Sequence, residues 1–165
     1  MRLPRCAAGL IGAVAALALI GAVAFERRLI ATSADPGPAN FPALHRLDSR
    51  DDALICPKSV CVSAKPDLMP PIFTVSAARL RQKLLAYARG APGAGEIHTK
   101  QGSAQLRFVQ RSSPFGAALF IDVLVIARSS EAATLAMYAR GAAASPLAHA
   151  SDLARLRIWL DAMSN

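Results

Sequence analysis

Residues 7–25 read AAGLIGAVAALALIGAVAF, an apolar run without a single charge, bounded by Arg5 and Glu26. As a helix rising about 1.5 Å per residue it spans roughly 28 Å, close to the ~30 Å hydrocarbon core of a bilayer. A small soluble domain has no place to bury such a segment on every side, so the run sets an N-terminal membrane anchor (1–28) apart from the rest of the chain. The competing reading is a secretory leader, since Ala22-Val23-Ala24 has the small-x-small form of a cleavage site. The run exceeds the ~7–15 residue apolar core of a leader, which favours an uncleaved, single-pass anchor. Cys6 comes after Leu3-Pro4-Arg5 rather than small residues and is not set in a lipoprotein box. Arg2 and Arg5 favour an N-terminus in the cytoplasm, and Arg27 and Arg28 on the other flank oppose it.

Charge limits the partners. The chain carries 19 basic and 11 acidic residues. Setting aside Arg2, Arg5, Arg27, Arg28 and Glu26 beside the apolar run leaves 15 and 10. The remaining surplus attracts an anionic lipid surface or envelope polymer as a non-specific field. Nucleic acid is not an expected partner, because the chain has no basic run and its few aromatics do not alternate with arginine.

Residues 29–55 contain ATSADPGPANFPALHRLDSRDD, with three prolines and little apolar periodicity, and read as a linker. The domain is expected over 56–165. SAARLRQKLLAYARG (76–90) is an amphipathic helix with Ser76 as cap, a stripe of Leu80, Leu84, Tyr87 and Ala88, and Gly90 at its end. Four strand-like runs come next at 95–100, 104–110, 119–127 and 132–140, with connections short enough to demand antiparallel neighbours. SDLARLRIWLDAM (151–163) closes the chain as a second helix. The predicted fold is α+β: an antiparallel sheet of about four strands with helices on one face, preceded by one transmembrane helix.

Asp122 is the anomaly, an acid inside LFIDVLVIA. A hairpin centred on Pro114 and Phe115 sets Arg107 opposite it, and a carboxylate in an apolar sheet needs such a partner. The bland reading is a structural ion pair. The functional one is a ligand-binding site on that face using Arg107, Asp122 and Arg111, which alternation puts on the same side. His98 joins only under another register, since a turn at 101–103 pairs it with Leu106 on the opposite face, which also breaks any Ser–His–Asp arrangement with Ser112. His45 and His149 read as loop or cap residues. No H-x-x-x-H, carboxylate cluster, second C-x-x-C, G-x-G-x-x-G or P-loop is present, so no metal, cofactor or catalytic residue is expected.

Cys56 and Cys61, in CPKSVCVSAKP, have a spacing that fits neither a C-x-x-C oxidoreductase nor a complete zinc site. They are either two unpaired thiols or, in an oxidising compartment, a short disulfide staple. The same stretch resembles the opening signature of the domain-of-unknown-function 1499 family (DUF1499), through Cys56, Pro57, Ser59, Cys61, Val62 and Ser63. The resemblance extends over 52–163 through His98, QRSSPF (110–115), VIAR (125–128), ATLAMYARG (133–141) and LARLRIWL (153–160). One residue fewer separates the cysteines than in the family. Leu119 stands where the family has aspartate, and SPLAHAS (145–151) replaces a more polar loop. The resemblance implies a membrane-anchored bacterial protein and lends no biochemical role. Together these readings point to a non-catalytic envelope domain at the inner membrane, facing the periplasm, that binds a partner protein or anionic lipid. An enzyme or small-ligand domain is the alternative.

Overall fold

The computed structural model describes residues 35–46, 52–97, 103–111, 118–141 and 148–164. The apolar run 7–25 lies outside them, and no helix among the described residues is long and apolar enough to cross a membrane. The elements, in chain order, are β1 (Asp52–Ile55), α1 (Ala77–Gly90), β2 (Ala94–Ile97), β3 (Gln105–Arg111), β4 (Ala118–Ala127), β5 (Ala133–Gly141) and α2 (Ala148–Ser164). The strands form one antiparallel sheet in the order β1-β5-β4-β3-β2.

The α+β class and the two helices packed on the sheet agree with the sequence reading, but the sheet has five strands. The additional strand, β1, comes from the stretch read as linker and pairs with β5 from Asp52↔Arg140 to Ile55↔Met137. Its four residues are all buried, so they show no period-two alternation to distinguish them from an irregular segment. The β3–β4 register places Arg107 opposite Asp122, as the hairpin geometry requires.

Alternation then sorts the side chains. One face carries Ala53, Ile55, Leu106, Phe108, Ile121, Val123, Leu135 and Met137, and both helices pack against it. From α1 come Leu80, Leu84 and Ala88, one turn apart in a stripe that excludes the helix's arginines. Ser76 caps the first turn by accepting from the Arg79 N–H at 3.2 Å. From α2 come Leu156, Trp159, Leu160 and Met163. Trp159 sits inside this core, 5.0 Å from both the Tyr87 and Phe108 ring centroids, and its indole N–H donates to Gln110 Oε1 at 3.2 Å. Burying that ring without an acceptor would leave a costly orphan donor.

Between α1 and β2 the chain turns through Gly93 at φ +68°, where a Cβ would lie 2.3 Å from the Arg111 carbonyl oxygen. Both conformation and space therefore demand glycine there.

The other sheet face is covered too, by the supposed linker. Ala39, Phe41 and Leu44 pack with Leu54, Cys56, Cys61, Ala136 and Tyr138 in a second apolar cluster. Phe41, 2% exposed, is its anchor. Cys56 and Cys61 are joined by a disulfide with Cα atoms 6.2 Å apart. The edge of β1 is closed by the chain just beyond it, as Cys56 N–H donates to Leu68 O at 3.1 Å and Asp67 N–H to Leu54 O at 2.9 Å. Residues 35–46 thus form a strap across the sheet, and the folded part of the chain starts well before Cys56.

Candidate functional site

Neighbouring strands place Leu54, Tyr138, Asp122, Arg107 and Ile97 in one row across the second face. Asp122 is completely buried at the centre. Arg107 Nε donates to its Oδ1 at 2.8 Å and Arg140 Nη2 to its Oδ2 at 2.7 Å. One carboxylate held by two guanidinium groups is a strong charge-assisted arrangement. Hairpin geometry finds the first partner from sequence. It misses Arg140, although the β4–β5 hairpin puts that residue next to Phe120 and therefore on the face of Asp122.

The strap completes the cluster. Asp35 accepts a bidentate pair from Arg107, Oδ1 from Nη2 at 2.6 Å and Oδ2 from Nη1 at 3.1 Å. The Gly37 carbonyl oxygen accepts from Arg107 Nη2 at 2.9 Å and from Arg140 Nη2 at 2.6 Å. Gln105 Nε2 donates to Ala39 O at 3.0 Å. The turn that makes this geometry is local. Gly37, at φ +74°, donates its N–H to Asp35 Oδ1 at 2.9 Å, and Pro36 and Pro38 on either side have no N–H to offer. The Asp35–Gly37 turn therefore presents acceptor oxygens to the Arg107 and Arg140 guanidinium groups. The hydrogen bond from Arg107, above all, holds the Asp35 carboxyl below its ordinary pKa of 3.8.

A second cluster adjoins the first through Tyr138, whose ring lies 5.2 Å from the Arg140 guanidinium carbon. Its hydroxyl donates to Asp52 Oδ2 at 2.6 Å. Burial, reinforced by this bond to a carboxylate, raises the Tyr138 pKa and keeps the hydroxyl protonated as a donor. Asp52 also accepts from Arg46 Nε at 2.7 Å, and Arg46 Nη1 donates to Asp67 Oδ1 at 2.8 Å. Asp67 in turn accepts the Leu54 N–H at 2.8 Å. Asp67 is thus a clamp between strap and sheet edge. Arg46 and Asp67 also line an open cleft of about 620 Å³, whose walls include His45, Ser63 and Lys65.

Of the residues singled out as a speculative ligand site, the structure brings Arg107 and Asp122 together. Arg111 ends β3, opposite Ala118 and four residues from Arg107. His98 lies outside the described residues, while the β2–β3 pairing that leads up to it, Ile97↔Arg107, keeps the expected register. Asp35, Arg46 and Asp52 fall in the stretch read as linker, where the proline content masks them. Among the described residues no group of three His, Cys, Asp or Glu side chains is placed to hold a metal ion. No known protein family, curated protein or solved structure matches the chain.

Proposed function

We propose that this chain is a membrane-anchored bacterial envelope protein, a divergent relative of the DUF1499 family, whose folded domain faces the periplasm and works by binding rather than by catalysis. The observation that carries the reading is the closure of the most promising site. Arg107 and Asp122 bond to each other, and Asp35 and Gly37 of the strap lie over them. A general acid, base or nucleophile needs a reacting atom within hydrogen-bond reach, and here that position is filled by the chain itself.

The Cys56–Cys61 disulfide supports an oxidising compartment, where such bonds persist. The uncharged run 7–25 supports attachment to the inner membrane. The partner is an envelope protein or an anionic lipid surface, in keeping with the basic surplus of the chain.

Labelling of Cys56 and Cys61 with an impermeant thiol reagent in intact cells, in a Cys6→Ser background, tests the reading. The expected result is no labelling until a reductant is added, then labelling without breaking the cells. Free thiols that react only after lysis would place the domain in the cytoplasm and overturn the proposal.

A further inference from the structure

We propose that the Arg107–Arg140 pair is an oxyanion-binding site whose resident occupant is the chain's own Asp35–Gly37 turn. The inference rests on the geometry of the sheet face and does not depend on the compartment or anchoring proposed above.

Asp122 and Asp35 meet the same guanidinium in different ways. Asp122 is completely buried, fixed in a central strand, and bonded to Arg107 Nε and Arg140 Nη2. Its role is to hold the two cations side by side. Asp35 is 45% exposed and comes from a turn rather than from the sheet. It occupies the outward fork of Arg107, the two Nη groups. Arg140 points its Nη2 at the Gly37 carbonyl and its Nη1 toward the Pro36 carbonyl at 3.5 Å. The strap thus sets four oxygens against the two guanidinium groups, two from a carboxylate and two from backbone carbonyls.

That set of acceptors is the kind a carboxylate or phosphate group supplies to paired arginines. Arg140 has one more donor to satisfy, since its Nε is buried and has no hydrogen-bond partner among the described residues. Native proteins leave few such donors unmet, and this one lies beside a fork already arranged for an anion.

The charges point the same way. Within the trio of Arg107, Arg140 and Asp122 one positive charge is left over, which Asp35 balances, while Arg46 answers Asp52 and Asp67 in the adjoining cluster. An external anion must compete with a tethered carboxylate at high effective concentration. The site is therefore filled in the resting chain and answers to free anions only when the tethered one is removed or outcompeted.

The test uses the full chain in uncharged detergent, as wild type, Asp35→Asn and Asp35→Ala, titrated with sodium acetate, inorganic phosphate or chloride at constant ionic strength. Thermal unfolding is followed by Trp159 fluorescence, and the Arg140 Nε–H resonance is followed by NMR. The expected result is a saturable rise in Tm of roughly 3 °C for the Asp35 variants with acetate or phosphate, a much smaller rise for wild type, and none with chloride. The Arg140 resonance should move with the same saturation curve. A response to acetate alone assigns the site to carboxylates, and a stronger response to phosphate assigns it to phosphate groups. If a variant does not fold in plain buffer, recovery of native fluorescence on adding the anion is read instead. Equal responses to all three anions, no response, or a wild type that responds as strongly as the variants would overturn the proposal.

Discussion

At the scale of single residues, the centre of the molecule is a carboxylate that no apolar sheet would tolerate alone. Asp122 is stabilising only because Arg107 and Arg140 both reach it, and the dependence is mutual. Asp122→Ala leaves two largely buried guanidinium groups without the carboxylate they share, and we expect a loss of about 3–5 kcal/mol, measured as a lower urea midpoint. Tyr138→Phe removes only the 2.6 Å bond to Asp52, which Arg46 still holds. Its cost should be smaller, about 1.5–3 kcal/mol for a hydrogen bond to a charged group. Asp35 supplies a pH signature. Its folded pKa is depressed, chiefly through the hydrogen bond from Arg107, so its contribution to stability is complete above the unfolded value. That contribution is lost as pH falls below 3.8 through the lower folded pKa. The stability gap between wild type and Asp35→Asn should be constant near neutrality and should narrow across that acid window, as read from urea midpoints at a series of pH values.

Among the elements, the strap behaves as a structural member although it has no regular secondary structure. Phe41 is its apolar anchor, and Phe41→Ala should cost about 3–5 kcal/mol, a core-sized loss from a segment with linker composition. The Cys56–Cys61 staple closes a small loop, so replacing both by serine should cost only about 2 kcal/mol in chemical denaturation. Period and turn signals make α1, α2 and the four strands from β2 to β5 legible in the sequence, together with the Arg107–Asp122 pairing, because alternation and hairpin geometry are local. The strap is not legible for a physical reason. Its prolines remove N–H groups, which reads as a linker, yet a surface of arginines wants bare acceptors opposite it, and that demand is visible only once β3, β4 and β5 are assembled. Strand β1 is hidden by its complete burial. Arg140 is within reach of register reasoning, but only when that reasoning is carried past the first hairpin to the second.

For the whole molecule, both faces of the sheet are covered by chain, one by the helices and one by residues from the supposed linker. A shortened chain beginning at Cys56, where the linker reading would place the domain boundary, loses both β1 and the strap. It should expose Ala136 and Tyr138, bind a hydrophobic dye and associate in sedimentation, whereas a chain beginning ahead of Asp35 should not.

The pairing of the strap with β5 also sets an order of events in time. Gly37 waits for Arg140 across 103 residues, and Asp52 waits for Tyr138 across 86. Contacts of such long range carry a loop-closure cost that slows their formation. As the polypeptide is made, the Asp35–Gly37 turn emerges among the first residues of the domain, and Gly37 meets Arg140 only when β5 has been made. Until then Asp122 has Arg107, its neighbour in the β3–β4 hairpin, but lacks Arg140. The strap therefore cannot complete its contacts with β5 before β5 exists, and any factor that holds the N-terminal stretch during synthesis also holds back the closure of this face.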